Sequence, residues 1–206
     1  MYNENDSLPR IARHLIMNAS FISDLGLYHG KMGIVLFFSH YARYTGNSLY
    51  DEFSGELLDD VYEEIHTGLP VNFEYGLCGI GWGIEYMLKN GFIAGDSDEI
   101  LAELDNKVME RDLRRITDRS LRTGFEGIST YICTRINSSS RKSGSLPFDN
   151  TYLTNWKSVT PTIAISDDEA IWKNIVNTLP EGEDITLWRL GLENGCAGVG
   201  INIIRQ

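Results

Sequence analysis

The sequence predicts an all-α fold, an array of about four helical hairpins. Three observations predict it: a glycine motif that returns along the chain, a dense apolar run after each copy, and amphipathic acidic stretches between the copies. The motif is Gly26-Leu-Tyr-His-Gly30-Lys-Met-Gly33-Ile34, which recurs at a fixed offset of 165 as Gly191-Leu-Glu-Asn-Gly195-Cys-Ala-Gly198-Val199. A third copy, Gly76-Leu-Cys-Gly-Ile-Gly-Trp-Gly83-Ile84, aligns at an offset of 50 from the first, with its middle glycine displaced to Gly79 and Gly81. Gly124-Phe-Glu-Gly127-Ile128 keeps the second half only.

The elements follow in chain order. Leu8 to Met17 reads as a first helix. Ile34 to Phe38 with Tyr41 and Tyr44 is apolar nearly all round, the pattern of a buried helix rather than a strand. Leu49 to Ile65 sets Phe53, Leu57, Val61 and Ile65 four residues apart among acids, an outer amphipathic helix. Ile84, Tyr86, Met87 and Leu88 begin the next buried helix. Asp98 to Ile116 is another outer one, with Ser97 as its N-cap. Ile128, Tyr131 and Ile132 mark a third buried helix with Cys133 inside it, and Asp167 to Leu179 a last outer one, stopped by Pro180. Asn137 to Ser166 is polar and turn-rich and reads as a loop or lid, with Tyr152, Leu153, Trp156, Val159, Ile163 and Ile165 anchoring a short hairpin. The expected organisation is one domain over 1–206 with a polar insertion at about 137–166. Glycine at each turn supplies positive φ and close approach of helix starts, which would converge on a common mouth.

Composition narrows the function. Eighteen Lys+Arg against 29 Asp+Glu give a net charge of −11, which disfavours nucleic acid or an anionic membrane as the main partner. The longest apolar run, Met32 to Phe38, is far short of a membrane span, and the first twenty residues lack a signal-peptide core, so a cytoplasmic protein is expected. Cys78, Cys133 and Cys196 are too few and too scattered for a disulfide framework. There is no P-loop and no Gly-x-Ser-x-Gly elbow.

The glycine motifs from Gly26 to Ile201 resemble those of the lanthionine synthetase C-like family. The resemblance implies an α/α toroid in which glycine motifs open the inner helices. It also implies a zinc ion that activates peptide thiols for addition to dehydrated Ser or Thr, forming thioether rings. Family members with zinc take two cysteines and a histidine from Cys-x-Gly and Cys-His-Gly motifs. Laid on this chain, the cysteine slot falls at Tyr28, Cys78 and Glu193, and its neighbour at His29, Gly79 and Asn194. Cys78 and His29 sit in different repeats and only Glu193 is left as a third ligand, so no metal set is assigned and zinc is not expected. The pocket-lining candidates are Tyr28, His29, Cys78, Gly79, Glu126, Glu193 and Asn194.

Four hairpins are fewer than the family's seven. The expected ring is therefore incomplete: open, closed by the insertion, or completed by a partner chain, a homo-oligomer included. The implied role is maturation or binding of a ribosomally made peptide, with or without enzymatic activity, and without an intact zinc cyclase centre. Two alternatives stand beside it. One is an α/α-toroid carbohydrate-active enzyme with paired carboxylates from Glu74, Glu85, Glu126 and Glu193, and with Trp82, Phe125 and Tyr28 stacking on sugars. The other is a non-catalytic interaction scaffold.

Overall fold

The computed structural model describes residues 4–65, 68–160, 167–176, 180, 182 and 184–206, and among these residues there is no strand. In chain order the helices are α1 (Glu4–Asn18), α2 (Lys31–Thr45), α3 (Ser48–Glu64), α4 (Leu77–Lys89), α5 (Ser97–Ile100), α6 (Ala102–Met109), α7 (Phe125–Ile136), α8 (Asn150–Val159), α9 (Asp168–Ile175) and α10 (Cys196–Ile204). The chain divides into two compact units: Met1–Ile65 with Asp167–Gln206, the terminal unit, and His66–Ser166, the central unit.

In the terminal unit α2 and α3 form a hairpin. Gly46, at φ 66, stops α2 in the left-handed conformation, and the Asn47 side chain then accepts from Leu49 N to start α3. Phe38 and Tyr41 of α2 meet Phe53 and Tyr50 of α3 with ring centroids 4.6–6.1 Å apart, and Phe37 stacks on Tyr41 within α2 at 5.4 Å. Lys31, almost wholly buried, reaches Glu64 at 2.6 Å and Asp60 at 3.3 Å. α10 packs on α2 and α1.

In the central unit α4 packs on α7, with α5 and α6 beside them. The stretch expected as one helix over 98–116 is broken into α5, α6 and a 3₁₀ turn at Leu113–Arg115, and its N-cap is Asp96, which accepts from Asp98 N, rather than Ser97. The hairpin expected near Tyr152 is α8, because Asp149 caps a helix by accepting from Tyr152 N at 2.6 Å. Tyr152 and Leu153 are buried there, whereas Ile163 and Ile165 lie outside the described residues. Residues 138–145 are tied down: Ser140 O accepts from Ser97 N, Asp96 from Lys142 N, and Asp98 from Ser143 N and Arg141 Nε.

Inner and outer helices start differently. α3, α5, α8 and α9 are capped by Asn or Asp side chains, whereas α2, α4, α7 and α10 begin at Gly30, Gly76, Gly124 and Gly195, which have no side chain to cap with. At each of these glycines the first helical N–H is satisfied instead by a loop carbonyl. Lys31 donates to Asp24, Leu77 to Pro70, Phe125 to Asp118 and Cys196 to Arg189, all at 2.8–2.9 Å.

All four cap glycines have negative φ, so the positive φ expected of the motif is not its reason. Crowding is. A Cβ at Gly124 would lie 2.5 Å from Asp118 O, and one at Gly30, Gly76 or Gly195 would collide with Asp24, Pro70 or Gly191 O at least as hard.

Candidate functional site

The shared carbonyl bond fixes the repeat register. Gly76 corresponds to Gly30, Gly124 and Gly195, not to Gly26, so the third copy is shifted from the alignment at offset 50. The copy with only half the motif, at Gly124, has the complete geometry. Counting back two residues from each cap glycine gives Tyr28, Glu74, Arg122 and Glu193. The residues just before the caps are His29, Tyr75, Thr123 and Asn194.

In each unit two of these loops clasp one another in the same way. In the terminal unit the N–H groups of Leu192 and Glu193 both donate to Tyr28 O, at 2.8 and 3.0 Å. In the central unit the N–H groups of Phe73 and Glu74 both donate to Arg122 O, at 3.0 and 2.9 Å. The equivalence continues into the helices. Space for a Cβ at Gly33 is taken by Leu192, and at Gly127 by the corresponding Phe73. Gly200 gives way to the ring of Phe37, and Gly81 to the ring of Tyr131, again at matching positions. Each clasp also sets an acid beside a base: Glu193 Oε2 is 3.4 Å from His29 Nε2, and Glu74 Oε2 is 3.8 Å from Arg122 Nε.

The terminal clasp therefore brings together Tyr28, His29, Glu193 and Asn194. Tyr28 is fully buried and donates its hydroxyl to Asn174 at 3.1 Å. His29 and Glu193 keep 26% and 18% of their side chains exposed, enough for a ligand to reach the pair. Asn194 has φ 51, a left-handed conformation at a residue other than glycine, and it turns the chain directly beside the pair. Cys78, Gly79 and Glu126 belong to the central unit. Cys78 and Gly79 lie in the first turn of α4, both buried, and Glu126, half-buried, lies in that of α7. Glu74, rather than Cys78, occupies the cysteine slot. It was hidden because α4 carries glycines at 79, 81 and 83, which permit a second alignment.

The donor set does not fit a zinc ion held by two thiolates. In the corrected register none of the four cysteine slots carries a cysteine, and His29 alone matches. The three cysteines are all buried, and burial pushes their thiols up: Cys133 to about 11, Cys196 to about 12, and Cys78 well above its ordinary value, with Asp105 adding to the effect. A metal ligand must be the thiolate, and these buried thiols, raised by burial, lie outside the motif's ligand slots.

The sugar-binding alternative loses its three stacking rings and one of its four carboxylates. Trp82, Phe125 and Tyr28 are fully buried and offer no ring face to a ligand. Glu85 is 2% exposed and bound to Arg135 at 2.6 Å.

The family model for lanthionine synthetase C-like protein matches residues 22–181. The chain belongs to the lanthionine synthetase C-like family, and its all-helical array is compatible with that fold. The repeat geometry extends past the matched region, through the clasp at Gly191–Gly195 and α10. Neither a curated protein nor a solved structure matches the chain. Among the described residues no helix is long and apolar enough to cross a membrane.

Proposed function

We propose that this chain binds a ribosomally made peptide at its glycine clasps and takes part in that peptide's maturation without a two-thiolate zinc centre. Family membership supports the peptide. The replacement of the cysteine slots by Tyr28, Glu74, Arg122 and Glu193 supports the loss of the metal chemistry, and is the observation that carries the reading. The carboxylates and the guanidinium at these positions bind peptide amides and charged side chains by hydrogen bonds, while the buried Tyr28 hydroxyl is taken by Asn174; none of the four supplies a thiolate for a metal cage. In the terminal clasp the His29–Glu193 pair is the accessible polar contact.

The test uses a labelled peptide that carries one cysteine and one dehydroalanine. Binding is followed by fluorescence anisotropy, ring formation by loss of alkylatable thiol, and metal by elemental analysis of the purified protein. The expected result is binding, weakened by Glu193→Ala or His29→Ala, with no zinc-dependent loss of thiol. Zinc at about one ion per chain together with thiol consumption would overturn the reading.

A further inference from the structure

The connector between α6 and α7 carries five arginines (Arg111, Arg114, Arg115, Arg119 and Arg122) against two aspartates over residues 111–122, in a chain of net charge −11. Four of the five are engaged. Arg114 and Arg115 pair with Asp112 at 3.0 and 3.4 Å, Arg119 lies over the Phe125 ring at 4.8 Å, and Arg122 faces Glu74. The fifth, Arg111, is exposed and its guanidinium has no partner among the described residues. It stands on a half-open cleft of about 310 Å³ lying wholly within the central unit. The rest of the lining mixes apolar residues, Leu69, Pro70 and Val71 from the loop before α4 with Ile116 and Ile128, and the polar Asn72 and Thr123.

We propose that this cleft is a recognition site for an acidic peptide segment, seating one apolar side chain between Leu69, Val71 and Ile116 while a neighbouring carboxylate pairs with Arg111. The volume lies at the small end of ligand sites, so it admits a side chain rather than a folded partner. The apolar residues of the lining supply the anchor, and a planar guanidinium with no acid paired to it supplies a bidentate contact for a carboxylate. Charge complementarity selects the occupant. The connector is a local excess of positive charge, and at physiological salt acids of the same chain more than about 8 Å away are screened. The inference rests on the peptide reading above and deepens it, by naming the chemistry of a segment held away from any reacting group.

The test is anisotropy with a fluorescein-labelled peptide of alternating Leu and Glu, beside its Leu/Lys and Ser/Glu counterparts. The Leu/Glu peptide binds, and the other two bind at least roughly tenfold more weakly. Arg111→Ala costs roughly tenfold, the range of a lost charge-assisted contact. Leu69→Asp, a half-buried loop position that places an acid in the cleft, abolishes binding. Arg13→Ala removes the same charge from the exposed face of α1 in the terminal unit and changes nothing. An equal loss with Arg13→Ala, equal binding of the Ser/Glu peptide, or equal binding of a short single-stranded DNA would overturn the site. If the Leu/Glu peptide binds none of the variants differently while the cysteine–dehydroalanine peptide still binds, the cleft fails and the function stands. If neither peptide binds, both fail.

Discussion

Arg135 grips Asp105 inside the central unit. Its Nε lies 3.1 and 3.0 Å from the two carboxylate oxygens, and a terminal nitrogen lies 2.7 Å from Oδ2. The guanidinium, with no exposed surface, also donates to Glu85 at 2.6 Å and to Ser97 and Asp98, while Tyr131 donates its hydroxyl to Asp105 at 2.6 Å. One cation thus joins α7 to α4, α5 and α6. Removing it strands two buried carboxylates, so Arg135→Met is expected to cost about 3–5 kcal/mol in urea unfolding at neutral pH.

The sign of its pH dependence follows from Asp105. Burial raises that carboxyl above its ordinary value, even with Arg135 and Tyr131 pulling it down. An acid whose folded pKa is raised favours the fold below its unfolded pKa, and that contribution is lost as pH rises through the folded value. Without Arg135 the rise is larger. The deficit of Arg135→Met is therefore expected to be smaller at pH 5 than at pH 8, and an equal deficit at both would show that Asp105 is not the stranded charge.

A second dependence comes from His40 in the terminal unit. Burial lowers its pKa from 6.5 to about 4, helped by the charges of Arg205 and Arg43, and its ring stands edge-on to Trp172 at 6.1 Å. Between these two values the unfolded chain binds a proton that the folded chain refuses, so stability falls as pH drops from 6.5 to 4. At 1.36 kcal/mol per pH unit the loss is bounded at about 3 kcal/mol. His40→Gln, which cannot take the proton, is expected to flatten the stability profile over this window; a profile as steep as wild type would assign the slope to other groups.

Asn194 gives a third prediction, because its left-handed backbone costs energy at any residue with a Cβ. Asn194→Gly is expected to raise stability by about 0.5–1 kcal/mol and Asn194→Val to lower it by more than that, both read by thermal unfolding. If the conformation serves the His29–Glu193 pair, Asn194→Gly also weakens peptide binding while stabilising the fold, a combination that a purely structural turn would not produce.

The helices were legible because their periods are carried by large apolar residues. Phe53, Leu57, Val61 and Ile65 fall in or immediately after α3, and Met32 to Phe38 lie in α2. What misled was glycine, a residue that records crowding without saying what crowds it. Gly79, Gly81 and Gly83 look interchangeable in the sequence, yet Gly81 yields to the Tyr131 ring and Gly76 to the Pro70 carbonyl. Only those contacts place Glu74, and not Cys78, in the slot beside the cap. Glu85 misled for a similar reason: a carboxylate near a motif suggests chemistry until its partner, Arg135, fifty residues away, is seen.

The same distinction yields the sharpest stability test. Gly55, inside α3, has nothing within 4 Å of where a Cβ would be, whereas Gly198, in the first turn of α10, would drive one into the Leu192 carbonyl and within 3.2 Å of Val176. Both are helical glycines, so helix propensity alone predicts that alanine gains about 1 kcal/mol at each. Crowding against backbone reverses the sign at the second, because a carbonyl that is itself part of the clasp loop cannot rotate away like the end of a side chain. Gly55→Ala is therefore expected to gain about 1 kcal/mol and Gly198→Ala to lose about 2–3 kcal/mol in urea unfolding. Gains at both positions would mean that the clasp tolerates side chains and that glycine is not required there by contact.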